Sequence, residues 1–254
     1  MFHKKLIIIL LWSLAPLLNP FFIYSQSKLD ESTYYDNSKI FSVSIYGMYI
    51  SSGELQNNIN NEDPFLRDAS IELKGGYGYG GEIIYSPNLY DLEIRVYLSS
   101  EYIKITDDEL ALRFIEDSAT ASVRFIEEFY MIPLEAGLKW SLPVGTERFI
   151  IYIGGGAGVY FGDRKRSIGS LKTSTISKKP GFSLNVLSGI EYYIGRNLSL
   201  DFEFKFRDAS FEAENMFSTD YIYIDGHNFR LDNPFRSRLL INGARLSLGL
   251  KYNF

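Results

Sequence analysis

The stretch LSLDFEFKFR, residues 198–207, decides the fold. Leu198, Leu200, Phe202, Phe204 and Phe206 take the even positions, and Ser199, Asp201, Glu203, Lys205 and Arg207 take the odd ones. A helix of 3.6 residues per turn would mix these two sets around its circumference. A strand gives each set a face of its own.

The same period of two recurs in both directions from this point. In 244–254, Ala244, Leu246, Leu248, Leu250, Tyr252 and Phe254 alternate with Gly243, Arg245, Ser247, Gly249, Lys251 and Asn253. Residues 91–99 and 132–140 alternate as cleanly, the latter with Pro133 among its polar positions. Pro133 has no N–H to give a ladder, so it is expected at a bulge or near a strand end. Residues 40–50, 77–86 and 182–194 alternate less strictly, with Ile84 on the wrong side. Residues 149–161 are apolar on both faces and rich in glycine. Glycine weakens a strand, so it should mark tight curvature or room for a bulky neighbour. Eight predicted strands result.

The connections alternate in length. Pro87–Tyr90, Pro143–Arg148 and Gly195–Asn197 are short, whereas 51–76, 100–129, 163–181 and 208–239 are long. Short turns at one end and long loops at the other define an up-and-down antiparallel barrel. Leu110, Leu112 and Phe114, and Tyr221 and Tyr223, keep the alternation inside the long loops, and a further hairpin there would make ten strands. Asp107 to Asp117 reads alternatively as a short helix capped by Asp107.

Composition excludes several classes. The chain has 254 residues, enough for one domain or at most two, and 16% of them are aromatic, with 19 Tyr and 19 Phe. Disordered chains are poor in aromatics. The absence of cysteine removes disulfides, thiol catalysis, cysteine zinc sites and an acylated cysteine. A formal charge of −5 offers no basic excess for nucleic acid. Residues 1–25 have a basic start (His3, Lys4, Lys5) and an apolar run, Leu6 to Leu18, the layout of a secretory signal. An uncleaved anchor is the alternative, although the run is short for a span. Cleavage would leave 24 basic and 31 acidic residues, a balance of −7. Residues 26–39 read as a flexible lead, and 40–254 as the barrel.

The direction of the apolar face separates two kinds of barrel. A soluble lipocalin-like barrel turns it inward, and a membrane barrel turns it toward lipid. The polar face carries Glu82, Glu93, Glu135, Glu191, Asp201 and Glu203 against Arg95, Lys139, Lys205, Arg207, Arg245 and Lys251. Six acids against six bases can neutralise one another inside a narrow lumen, provided they form a hydrogen-bonded network. Phe41, Tyr49, Tyr85, Trp140, Phe149, Phe161, Tyr192, Tyr252 and Phe254 lie near strand ends on the apolar face, as two girdles at the water–lipid boundaries would. Aromatics also favour strands in general. The expected fold is a closed antiparallel transmembrane β-barrel of eight strands, with short periplasmic turns and long extracellular loops.

Two segments carry a resemblance. Lys251-Tyr252-Asn253-Phe254, with Leu248 and Leu250 before it, resembles the C-terminal signal of bacterial outer-membrane barrels that the barrel-assembly machinery reads. Gly189-Ile190-Glu191-Tyr192 followed by Asn197-Leu198-Ser199-Leu200-Asp201 resembles the penultimate hairpin of small OmpA/OmpW-like barrels. The resemblance implies a Gram-negative outer-membrane address and Leu248, Leu250, Tyr252 and Phe254 as the assembly signal.

For function, an eight-stranded barrel is filled by side chains or holds one small ligand. The expected role is therefore structural, a filled barrel that presents its loops for surface interaction. Asn57, Asn58, Asn60, Asn61, Glu62 and Asp63 form one polar loop cluster. Arg164, Lys165, Arg166, Lys172, Lys178 and Lys179 form a basic one, a solvated run or a contact for lipopolysaccharide heads. The OmpW resemblance implies an alternative, passage of small hydrophobic solutes along an apolar inner patch of Tyr46, Met48, Ile84, Ile150, Tyr152 and Leu187. A lipid-acting barrel enzyme is the third reading. His227 is the one histidine after residue 25, with Asp225 and Ser237 near only in sequence. Two residues after it stands Phe229, where lipid A deacylases carry serine. No catalytic residue, cofactor or metal site is expected. Asp107, Asp108 and Glu109 lack a calcium-loop spacing, and the Gly154–Gly158 run opens no helix.

Overall fold

The computed structural model describes residues 39–254 except 58, 61, 88–92, 117–118 and 147. The expected leader, 1–25, and the lead up to residue 38 lie outside the described residues. The elements in chain order are β1 (Phe41–Ile50), β2 (Gly53–Gln56), the helical turn α1 (Pro64–Arg67), β3 (Ser70–Leu73), β4 (Gly76–Tyr85) and β5 (Ile94–Asp107). Next come β6 (Ala111–Glu116), β7 (Ala119–Arg124), β8 (Ile126–Thr146), β9 (Phe149–Ile168), β10 (Leu171–Lys179) and β11 (Gly181–Tyr193). The chain ends with β12 (Leu198–Arg207), β13 (Ala209–Phe217), β14 (Tyr221–Ile224), β15 (His227–Arg230), β16 (Phe235–Ile241) and β17 (Ala244–Asn253).

Eight of these close a barrel. Its order is β1-β4-β5-β8-β9-β11-β12-β17, with β17 paired back to β1 and every neighbour antiparallel. Closure leaves no edge in this part of the sheet.

Most of the stretches read as long loops are strand. β10, β13, β16, β2 and β3 pair in that order and so repeat the order β11-β12-β17-β1-β4, each following or preceding its counterpart by one or two residues. β5, β8 and β9 run on upward past their apolar stretches. β9 has 20 residues, about 66 Å of strand, against an apolar belt about 25 Å tall in such barrels. The molecule is therefore a barrel of two storeys, one within the belt and one above it. Two hairpins, β6–β7 and β14–β15, complete the upper end, with Phe114 and Phe229 in ring contact.

The two storeys have opposite polarity. In β12 and β13 the odd residues face inward without interruption, from Glu203, Lys205 and Arg207 to Ala209, Phe211 and Ala213. The even residues outside change in the other sense, from Phe202, Phe204 and Phe206 to Asp208, Glu212 and Glu214. β9 repeats the change outside, from Val159 and Phe161 to Asp163 and Lys165, and β5 repeats it inside, from Glu101 to Ile103 and Ile105. The lower storey is apolar outside and charged inside, as lipid requires; the upper storey is built as a water-soluble protein is.

Two local expectations are corrected, and one turn is new. Among the described residues, Asp107 to Glu116 form no helix. Asp107 is buried and accepts from the backbone N–H groups of Lys74 and Glu109, which leaves 111–116 free to form β6. Pro133 lies mid-strand in β8 and in register with Tyr160 on β9. Its missing donor falls on the β5 side, where the pairing skips from Ser100↔Leu134 to Ile103↔Met131. The turn Asp225–Gly226 has φ of 50° and 87°, the two positive values of a two-residue hairpin turn, which glycine adopts without steric cost.

Candidate functional site

The lumen of the lower storey holds the chemistry. Inward positions alternate with lipid-facing ones on every strand, so the charged side chains converge on the axis. Toward the short turns, Glu191 receives Arg95 Nη1 at 2.7 Å, Lys251 Nζ at 2.5 Å and the Ser199 hydroxyl at 2.7 Å. In the middle, Lys139 Nζ lies 2.6 Å from Glu82 and 2.8 Å from Glu203. Above, Lys205 pairs with Glu135 at 2.7 Å, Arg207 with Glu101 at 2.8 Å, and Arg245 with Glu203 at 2.6 Å and Glu101 at 3.1 Å. Tyrosines tie the layers together. The Tyr152 hydroxyl reaches Asp201 and Glu203, that of Tyr160 reaches Glu135, and that of Tyr46 reaches Glu101. Lys139 Nζ stands 5.3 Å over the Tyr97 ring and 5.0 Å over that of Tyr152, and Arg245 stands 4.7 Å over Tyr46.

Glycines on neighbouring strands make room for these rings. A Cβ at Gly156 would meet the Tyr97 hydroxyl at 2.6 Å, one at Gly80 the Tyr46 ring at 2.7 Å, and one at Gly189 would fall on the Tyr152 ring. Substituting any of them displaces a tyrosine that the charge network depends on.

Of the twelve charged residues read from the sequence, eleven point into this lumen. Glu93 does not: it is exposed one residue before β5, where alternation no longer implies an inward direction. Glu101 takes its place and restores six acids against six bases; it was read as loop, yet it follows Arg95, Tyr97 and Ser99 at the same odd spacing. The basic stretch also divides. Arg164 and Arg166 face inward and clasp Glu127, with Arg164 Nη2 2.6 Å from it and Arg166 Nε closer, and Asn57 accepts from both guanidiniums. Burial, with Arg164 beside it, pulls Arg166 down to about 10, and Glu127 works in the opposite direction. Lys165 lies outside over the Tyr130 ring, and Lys178 pairs with Asp163 at 2.9 Å.

Above the network the lumen is closed by apolar packing. Met48, Ile50, Leu55, Leu73, Ile103, Phe129, Met131, Phe211 and Leu239 belong to one buried cluster. The inner patch considered for solute passage is taken up by packing. Met48 belongs to this cluster with Tyr46 against it, and Ile84, Tyr152 and Leu187 join Tyr97 in another. Of the residues weighed for catalysis, His227 is exposed on β15, whereas Ser237 is buried on β16 and donates to the Ala213 carbonyl. Leu248, Leu250, Tyr252 and Phe254 all face outward, with Phe254 63% exposed and its ring 5.0 Å from that of Tyr252.

No family model and no curated protein matches the chain. Solved structures do. Outer membrane protein OprG from Pseudomonas aeruginosa superposes with a TM-score of 0.55 at 13% identity, over 85% of this chain and 97% of that one. Outer membrane protease OmpT from Escherichia coli gives 0.46 at 8% identity, over 91% and 100%. Neisserial surface protein A gives 0.40 at 15% identity, over 84% and 97%. The likeness in fold rests on OprG.

Proposed function

We propose that this chain, which shares its fold with a small outer-membrane barrel, sits in a bacterial outer membrane as a closed barrel and acts through the storey it holds above the bilayer. One observation carries this reading: the lumen is blocked twice, by a charge-balanced network and by an apolar core directly above it. A conducting pore needs a continuous water path, and an ion-selective one a ring of one sign; neither fits this interior. The upper storey supplies a rigid display surface of strand rather than loose loops. Outer-leaflet lipid is its immediate neighbour, and the barrel-assembly machinery would read Leu248, Leu250, Tyr252 and Phe254 during insertion.

The full chain, expressed in a Gram-negative host, should appear in the outer-membrane fraction and shift on SDS gels between unboiled and boiled samples. Reconstituted in planar bilayers it should give no stable conductance. A fluorescent apolar solute should enter protein-loaded liposomes no faster than empty ones. A steady open-channel current, or faster solute entry, would overturn the closed-barrel reading.

A further inference from the structure

The upper storey has a seam. Among the described residues, β3 is the one strand of the thirteen-stranded sheet that pairs on one side only, with β2. On its other side the ladder between β4 and β5 ends at Gly76↔Ile105, and β5 gives way after Asp107 to residues 108–110. Lys74 bridges the lower end of this seam. Its backbone N–H donates to the Asp107 carboxylate at 3.2 Å, and its ammonium lies 3.3 Å from Asp108 and 2.8 Å from Glu109. Above that bridge, Ser70–Leu73 present a free strand edge, whose unpaired N–H and C=O groups can template a further strand. Ile71 marks the missing neighbour. It faces inward, opposite Leu55 and two places before Leu73, both of which are buried, yet it is 38% exposed.

The outward face of the same edge is acidic. Glu72 stands directly opposite Glu54 on β2. Like charges in that arrangement destabilise a sheet. Glu54 accepts from the Asn242 amide at 2.7 Å, and neither carboxylate forms an ion pair among the described residues. Asp68, Asp108 and Glu109 lie beside the seam, against Arg67 and Lys74. Charge on a sheet edge ordinarily guards against indiscriminate pairing. Here the guard has one sign. It repels another acidic edge, the β3 of a second copy included, and it favours a cation placed beside Glu72.

We propose that β3 is a docking edge for an extended segment of a partner protein in which apolar and basic residues alternate. The segment continues the sheet through its backbone. Its apolar side chains cover Ile71, and its Lys or Arg side chains stand beside Glu72 and Glu54. In this mode of recognition main-chain hydrogen bonds hold the strand and alternate side chains select it. The inference rests on the upper storey being the working surface. Protein folded in detergent reads the edge without a membrane, so failure here leaves the closed-barrel reading to the conductance measurement.

The test is fluorescence anisotropy of a labelled peptide of alternating Lys and Val, titrated with the full chain folded in a non-ionic detergent. The wild type should bind it saturably. A peptide of the same composition with Lys and Val in separate blocks should bind at least about tenfold more weakly, since charge alone is not the signal. The alternating peptide with every backbone amide N-methylated keeps its charges and loses its ladder donors, so it should not bind; this arm needs no variant of the protein. Glu72→Lys should weaken the alternating peptide about tenfold and leave the unboiled gel mobility intact, because it ends the opposition with Glu54. Asp232→Lys, the same charge change on an exposed residue before β16, should bind as the wild type does. No binding by the wild type overturns the docking edge. So does equal binding by wild type and Glu72→Lys, or by the N-methylated peptide and its parent. A dimer that Glu72→Lys disperses overturns the choice of occupant in favour of a second copy.

Discussion

At the residue scale the lumen shows how alternation converts into chemistry. Lys139 is the most instructive position, because one ammonium serves both Glu82 and Glu203 with two tyrosine rings beneath it. Removing one partner of a buried ion pair leaves an uncompensated charge and costs about 3–5 kcal/mol. Lys139→Ala should therefore lower the urea midpoint of the detergent-folded barrel by that equivalent, and Lys139→Ala combined with Glu82→Ala should recover part of it. No recovery would mean that the pair is not coupled. At the other end, deleting Phe254 removes an exposed ring from the belt edge and from its contact with Tyr252. It should lower the amount of assembled, heat-modifiable barrel several-fold in cells, with little effect on a sample refolded in detergent. The same residues show what single-position reading reaches. The parity of Glu203, Lys205 and Arg207 is visible in the letters, and so is that of Glu101 once β5 is allowed to continue past Ser99. Glu93 misleads because parity has meaning only while the backbone remains paired.

At the scale of elements, the long connections are strands that change solvent. Each keeps its alternation across the boundary, but the apolar partner switches face, so a pattern reader who expects one apolar face per strand stops at the switch. That is why Ala209, Phe211 and Ala213 looked like loop. The outer face of the upper storey is held by cross-strand ion pairs such as Arg238 with Glu212 at 2.7 Å and Lys104 with Glu128 at 2.8 Å. The Arg238 hydrogen bond keeps Glu212 below the usual carboxylate range, and that of Lys104 does the same for Glu128. A carboxylate whose pKa is depressed by folding stabilises above its unfolded pKa and loses that contribution as the pH falls through the folded value. These pairs are partly exposed, so each contributes less than about 1 kcal/mol. Acidification from neutral to about pH 3 should thus speed proteolytic cleavage between 209 and 241 while the lower barrel keeps its unboiled gel mobility. Equal cleavage at both pH values would show that the ion pairs do not secure this storey.

At the scale of the molecule, the two storeys stand in series on eight shared walls. Strand count, closure and inside-out polarity of the lower one were legible because seven of its eight strands repeat the same binary code, four of them strictly, and only the glycine-rich 149–161 lacks it. The upper core was not, since it draws on residues far apart in sequence, such as Leu55, Phe129 and Leu239. Interior function was not legible, because a balanced set of charges names no ligand. The abrupt change from Phe206 to Asp208 has one more effect. Two residues span about 7 Å of strand, and within that height the outer wall passes from wanting hydrocarbon to wanting water. The barrel thus carries its own waterline. In a bilayer, a thicker membrane would have to thin around such a wall rather than let it ride lower, and whatever meets the upper storey would find it at a fixed freeboard above the lipid.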